Sequence, residues 1–273
     1  MEWVETQGAK IPAVGFGTIT LKGDVCARAV QHAAQLGYRH FDTATFYGNE
    51  QDVGEGLRHA GVARDELFVT TKVRQSNLAP GDFERSVESS LKALGLDYLD
   101  LLLIHWPNPE IPQAVSIGEL CKAKRNGLAK HIGVANFTVA LLDEAVGLAT
   151  EPLAVNQVEV HPFLDQSKVI AACRRHDMAV TAYCPLARGQ IPSSETLARI
   201  GKAHGKSASQ VSLRYLLQLG LIVLPRSATP AHMQQNIDVF DFMLNEAEMA
   251  EIRQLSTANL RMVDPPYRPQ WDT

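Results

Sequence analysis

The sequence predicts an α/β fold in which eight strand–helix units close into a (β/α)8 barrel, with an N-terminal hairpin and extra helices. Three observations lead there. Short apolar runs alternate with amphipathic stretches along the whole chain, the pattern of parallel strands joined by helices. The 273 residues are close to the ~250 typical of such a barrel. Polar residues also close consecutive apolar runs. Tyr38–Phe41 ends on Asp42, Leu67–Thr71 on Lys72, and Leu99–Ile104 on His105 and Trp106. In a parallel barrel that end of the strands carries the chemistry.

The elements follow in order. Glu2 to Ile11 reads as a hairpin turning at Gln7-Gly8. Val14–Gly17 is the first barrel strand, and Val25, Ala29, Ala33 and Leu36 space the apolar face of the first helix. After Asp42 a loop carries Tyr47 and Gly48, and Asn49 is expected to cap the next helix, with acids in its first turn. The strand ending at Lys72 leads to a helix from about Pro80 with Phe83, Val87, Leu91 and Leu94 on one face. The run before His105 is almost wholly apolar, as suits a parallel strand covered on both sides. A proline-rich loop, Pro107 to Pro112, precedes a helix over Ile117–Asn126 and a strand over His131–Val134. Thr138 caps a helix reaching Ala149. Strand Ala154–Glu159, helix Ser167–His176 and strand Ala179–Tyr183 follow. Helices over Glu195–His204 and Ser209–Leu219 precede the last strand, Leu221–Pro225. Thr229 then Pro230 is an N-cap with proline in the first turn, and Asn245 with Glu248 forms a capping box. With no linker or low-complexity segment, residues 1–273 are expected to form one domain.

Composition narrows the function classes. No apolar run approaches the ~20 residues of a membrane span, and the acidic start MEWVETQGAK does not resemble a secretory signal. The cysteines at 26, 121, 173 and 184 are scattered, which favours reduced thiols in the cytoplasm and disfavours a structural zinc site. A net charge of −4 gives no footprint for nucleic acid.

Asp42, Lys72 and His105 each have a bland reading alone, as a turn residue, a solvated cation and a packing residue. Delivered to one rim beside Tyr47, they read as a site. The segments that carry them resemble the aldo-keto reductase family: GFGT at Gly15–Thr18, FDTATFYGNE, TTK, LLIHWP, IGVANF, NQVEVHPF, AYCPLARG and VLPRSATPAHMQQN, in order through the chain. The likeness is greatest to the short bacterial diketogluconate-reductase and methylglyoxal-reductase-like branch. It implies a TIM barrel whose N-terminal hairpin plugs one end, and a monomer. It also implies a catalytic tetrad of Asp42, Tyr47, Lys72 and His105 that reduces carbonyls with NADPH, and with NADH in addition. A free tyrosine has a pKa near ~10, and an adjacent ammonium favours its phenolate. Lys72 is therefore expected to lower the Tyr47 pKa, Asp42 to fix Lys72, and His105 to orient the substrate oxygen.

No GxGxxG follows a strand, so a Rossmann site is not expected. The resemblance instead implies a cofactor site formed by Gly17, Thr18, Asp42, Asn136, Gln157, Tyr183, Leu186, Arg188, Arg226, Ser227, His232, Gln235 and Asn236. In it Asn136 and Gln157 hold the carboxamide, Tyr183 stacks on the nicotinamide, Leu186 and Arg188 line the pyrophosphate, and Asn236 meets the adenine. Four positions depart from the family pattern. Ala135 stands where serine is usual, Arg226 for lysine, His232 for arginine and Gln235 for glutamate. They bear on cofactor preference, and the tetrad is intact.

The substrate pocket is expected from Ile19, Phe46, Tyr47, His105, Trp106 and Trp271, with Phe163 a further aromatic. Ile19 replaces a common aromatic, and the loops after Pro107 and Asn259 are short. A shallow mouth accepting small polar carbonyls follows: α-dicarbonyls such as methylglyoxal, simple aldehydes and diketo sugar acids. Two rival readings are a nucleotide-binding regulatory barrel without turnover and a metal-dependent hydrolase using His40, Asp42 and His161. The complete tetrad opposes the first. The second lacks partner histidines at other strand ends, and no metal ligand set is expected.

Overall fold

The computed structural model describes residues 2–272. Trp3–Thr6 (β1) and Ala9–Pro12 (β2) pair antiparallel. The turn between them places both Gln7 (φ 46°) and Gly8 (φ 79°) in the left-handed region, a hairpin geometry whose twist matches the strands it joins.

Eight parallel strands then follow in sequence order: Gly15–Gly17 (β3), His40–Asp42 (β4), Phe68–Val73 (β5), Leu99–Ile104 (β6), Ala129–Ala135 (β7), Leu153–Glu159 (β8), Ala179–Tyr183 (β9) and Ile222–Val223 (β10). The ring closes where Val14 bridges Val223. There the Val223 amide donates to Ala13 O at 2.8 Å and the Gly17 amide to Pro225 O at 3.0 Å. The last strand is shorter than expected because Pro225 has no N–H to continue the ladder.

Helices lie outside the ring: Gly23–Gln35 (α1), Glu50–His59 (α2), Asp82–Leu94 (α3), Gln113–Arg125 (α4), Val139–Leu148 (α5), Ser167–Arg175 (α6), Glu195–His204 (α7), Ala208–Gln218 (α8), Pro230–Ile237 (α9) and Glu246–Gln254 (α10). The apolar residues divide into two cores. The larger lies between sheet and helices; Phe83, Val87, Leu91 and Leu94 of α3 are all buried in it. The smaller fills the barrel interior with Phe68, Leu101, Leu103, Val155 and Ile222. Ala9 and Ile11 of the hairpin join this inner core, and Thr6 Oγ1 donates to Ala154 O at 2.9 Å, so the hairpin does plug the amino-terminal end.

Some local expectations need correction. Ala29 and Ala33 of α1 are buried as expected and Leu36 is half-buried, but Val25 is 49% exposed, and Cys26 and Val30 are buried in its place. The cause is close packing on α2: a Cβ at Gly56 would sit 2.5 Å from Ala27 O, so the small-residue face of α1 turns inward. Asn49 occupies the N-cap position of α2, but its side chain does not cap. It accepts from Thr43 Oγ1 at 2.8 Å and donates to Thr18 O at 2.9 Å and Leu21 O at 3.0 Å, tying two rim loops together. Thr138 and Thr229 also cap by position only. The Asn245–Glu248 capping box forms in both directions. Among the described residues no helix is long and apolar enough to cross a membrane.

Candidate active site

The parallel register brings the predicted side chains to one rim. Asp42, the last residue of β4, lies opposite Gly17 and Thr70, and Lys72 of β5 lies opposite Leu103. Lys72 Nζ meets Asp42 Oδ1 at 2.5 Å and donates to Thr43 O at 2.8 Å. Both side chains are enclosed, Lys72 completely. The second oxygen of Asp42 accepts from Gln157 Nε2 at 2.9 Å, so the carboxylate is held from two sides. Below the pair lies a residue the sequence offered only as a first-turn acid. Glu50 is buried, accepts from Thr71 Oγ1 at 2.6 Å and from Ser90 Oγ at 3.2 Å, and adds its charge to the field on Lys72.

Tyr47 ends a short 3₁₀ turn over Thr45–Tyr47. Thr45 Oγ1 donates to Lys72 O at 3.1 Å, and Lys22 Nζ donates to Tyr47 O, which fixes the loop to its neighbours. Lys72 Nζ stands 5.1 Å from the centre of the half-buried Tyr47 ring, and the ring meets His105 edge-on at 5.7 Å. Asp42, Tyr47, Lys72 and His105 are thus brought together.

Their electrostatics differ from expectation in one respect. Burial, then the charges of Asp42 and Cys184, pushes the Tyr47 phenol well above its ordinary pKa. Burial outweighs any help the phenolate has from Lys72, whose ammonium is already in contact with Asp42. Burial in turn lowers the Lys72 pKa while Asp42 opposes that shift. His105 is held well below the ordinary imidazole value by burial first, then by Lys72 and Arg74. A neutral imidazole at this rim can donate one N–H to an oxygen.

Residues expected to hold a cofactor line the neighbouring strand ends. Thr18 Oγ1 donates to Asp42 O at 2.9 Å. Asn136, at φ 62° after β7, donates to His105 O at 2.9 Å and accepts from Tyr183 Oη at 2.8 Å. Gln157 is engaged with Asp42, so both amides are tied to the rim as well as facing it. Tyr183 ends β9 half-buried, and the chain then turns through positive φ at Cys184, Ala187 and Arg188, with Leu186 half-buried between them. Arg188 and Arg226 both act on the Cys184 thiol and partly offset the rise that burial causes. Ser227 is buried and its Oγ accepts from the Thr229 amide at 3.0 Å, shaping the entry to α9. His232 and Gln235 lie exposed on α9, while Asn236 is buried. Arg188 and Arg226, which both act on Cys184, are two guanidinium groups of the kind that suits the phosphates of a dinucleotide, and Arg226 shortly precedes α9.

At the mouth, Phe46 and Ile19 are exposed, and Trp106 is buried. Trp106 packs edge-on against Tyr267 at 5.5 Å and Trp271 at 6.1 Å. Phe163 packs on the outer core, and its carbonyl accepts from the Leu260 amide at 2.7 Å. The tail after Asn259 is more than a short end. Glu159, fully buried at the end of β8, accepts from the Met262 amide at 2.5 Å, the Val263 amide at 2.8 Å and the ring of His161 at 3.0 Å. Asp272 accepts from the Val139 amide at 3.0 Å. Glu159, Tyr267 and Arg261 were not singled out in the sequence; an acid closing the apolar run of β8 was the one available signal. His40 lies inside the barrel against Thr70 and Phe68, and His161 is bound to Glu159. Among the described residues no three His, Cys, Asp or Glu side chains gather as metal ligands.

Known proteins share this fold and much of this sequence. The sequence pattern of the Aldo/keto reductase family matches residues 13–257. Methylglyoxal reductase DkgB of Yersinia pestis is 39% identical over 266 residues, covering 96% of this chain and 99% of its own. An aldo-keto reductase of Mycobacterium avium (strain 104) is 41% identical, covering 93% and 90%. A crystal structure described provisionally as a 2,5-diketo-D-gluconic acid reductase B superposes with a TM-score of 0.98 at 44% identity, over 100% of this chain and 98% of that one. A Bombyx mori aldo-keto reductase in complex with NADP superposes with a TM-score of 0.91 at 37% identity, over 96% and 95%. The protein is thus an NAD(P)H-dependent oxidoreductase, and the chain belongs to the aldo/keto reductase family.

Proposed function

We propose that the protein reduces small aldehydes and ketones, α-dicarbonyls and diketo sugar acids among them, with NADPH as its principal cofactor and Tyr47 as general acid. The observation that carries this reading is the enclosed Lys72–Asp42 pair beneath the Tyr47 ring, with His105 beside it. Relatives named methylglyoxal reductase and 2,5-diketo-D-gluconic acid reductase support the substrate class.

When bound, the reduced nicotinamide supplies a hydride to the carbonyl carbon. Neutral His105 donates its N–H to the carbonyl oxygen and orients it. Tyr47 Oη passes its proton to that oxygen as charge develops there. The raised pKa keeps the phenol protonated at neutral pH, so the proton is in place before reaction. Lys72, 5.1 Å from the ring centre, then favours the phenolate that remains, and Asp42 keeps the ammonium in position. Asn136, Gln157 and Tyr183 hold the nicotinamide end, and Arg188, Arg226 and Ser227 hold the phosphates. His232 in place of arginine weakens the grip on the 2′-phosphate, so NADH is also accepted.

The test is direct. Methylglyoxal added to the protein with NADPH should lower the near-ultraviolet absorbance of NADPH. No loss with methylglyoxal, a diketo sugar acid or a simple aldehyde contradicts the reading.

A further inference from the structure

Tyr47 stands on a three-residue 3₁₀ turn, outside any strand or long helix, so its place at the rim depends on what grips that turn. On the barrel side, Thr45 Oγ1 donates to Lys72 O. On the outer side, the carbonyls of Tyr47 and Gly48 face a single ammonium. Lys22 Nζ donates to Tyr47 O and, at 3.1 Å, to Gly48 O. A Cβ on Gly48 would lie 3.2 Å from that nitrogen, so glycine there leaves the ammonium room to reach both oxygens.

The chain leading into α1 places Lys22 for this contact. Lys22 occupies the N-cap position in extended backbone, φ −143° and ψ 151°, and its side chain does not cap its own helix. Neighbouring groups join the same two loops. The Gly23 amide donates to Asp52 Oδ2 at 2.7 Å, and buried Asn49 donates to Thr18 O and Leu21 O. Asn49 thus secures Thr18 on the cofactor side, while Lys22 bonds the carbonyl of Tyr47 itself. Lys22 is exposed, so its contact adds little to the stability of the fold. Catalysis is more demanding of geometry: a shift of about 1 Å in a reacting group can cost on the order of 10²-fold in rate.

We propose that Lys22 is a positioning residue for the reduction: its ammonium clasps Tyr47 O and Gly48 O and thereby holds the Tyr47 phenol within reach of the substrate oxygen. The inference rests on the reading of Tyr47 as general acid. In this role Lys22 acts through the loop alone.

The experiment is single-turnover reduction of methylglyoxal by the NADPH-loaded protein, for wild type, Lys22→Met, Lys22→Arg, Tyr47→Phe, and Lys22→Met combined with Tyr47→Phe. Lys22→Met should lower the rate about tenfold, part of the loss that a displaced reacting group can cause, with NADPH affinity and the thermal midpoint nearly unchanged. Lys22→Arg should recover most of the rate, because a guanidinium also donates to two oxygens. In the Tyr47→Phe background Lys22→Met should cost less than about twofold, because residues that act through one group are not additive. A Lys22→Met protein that keeps the wild-type rate overturns the inference. So does a Lys22→Arg protein no faster than Lys22→Met, or an equal fold-loss with and without the Tyr47 hydroxyl. The reductase reading stands in each of these cases. A wild-type protein that oxidises no NADPH with methylglyoxal, a diketo sugar acid or a simple aldehyde removes both.

Discussion

Lys72 Nζ lies 2.5 Å from Asp42 Oδ1, in a pocket that leaves Lys72 no exposed surface. A cation so enclosed is tolerated because the carboxylate and Thr43 O satisfy it. Removing it strands a buried charge, and breaking such a pair costs about 3–5 kcal/mol. Lys72→Met should therefore lower the denaturant midpoint with an unchanged m-value. It should also move the alkaline limb of the pH–rate profile upward, since loss of a positive charge disfavours the Tyr47 phenolate. Unchanged stability, or a limb that does not move, contradicts this placement of the lysine.

His40 gives the fold a pH dependence. Burial pulls its pKa down to about 4, while an unfolded histidine titrates near ~6.5. The unfolded chain thus binds the extra proton first, and stability falls as pH drops from 6.5 to 4. The full effect, reached below pH 4, is about 3 kcal/mol from the linkage relation. His40→Gln should flatten the loss across that window in denaturant titrations. Wild type and variant losing stability in parallel would show that His40 is not the titrating group.

Glu159 is expected to hold the tail. Glu159→Gln replaces a carboxylate that accepts from two backbone amides and His161. Each charge-assisted bond lost is worth about 1.5–3 kcal/mol. Hydrogen exchange at the Met262 and Val263 amides should then speed up by roughly tenfold or more, and proteolysis after Asn259 should increase. Unchanged protection at both amides would mean that other contacts hold the tail.

Much of the rim was legible because parallel barrel strands are apolar runs and the residues that end them stand out. Asp42, Lys72 and His105 were visible in this way. Periodicity could not show what depends on distant partners. The order of the tail rests on bonds from Glu159 to residues 103 and 104 positions away, in a stretch with no helical or strand pattern. Asn49 looked like a cap because its neighbours suit one, yet Thr43, Thr18 and Leu21 take its amide. The inward face of α1 depends on Gly56 in the next helix, so spacing within α1 alone misplaced Val25. The sign of the Tyr47 shift is set first by how deeply the fold buries the phenol, which no sequence supplies.

Cofactor preference tests the phosphate loop. His232 lies exposed on α9, where a guanidinium would offer a permanent charge and a fork that an imidazole lacks. His232→Arg should raise the NADPH-to-NADH ratio of kcat/KM about ten- to a hundredfold at low salt, the scale of one charge-assisted hydrogen bond. An unchanged ratio would place His232 away from the 2′-phosphate.

The central claim is that Tyr47 supplies the proton, and Tyr47→Phe tests it most directly. The substitution removes one oxygen and leaves the ring between Lys72 and His105. The measurement is single-turnover reduction of methylglyoxal by the NADPH-loaded protein, with NADPH affinity taken separately from fluorescence titration. General acid catalysis is worth about 10²–10⁴-fold, so the rate should fall by at least that range with cofactor affinity nearly unchanged. A variant that keeps a tenth of the wild-type single-turnover rate would contradict the assignment of Tyr47 as the acid.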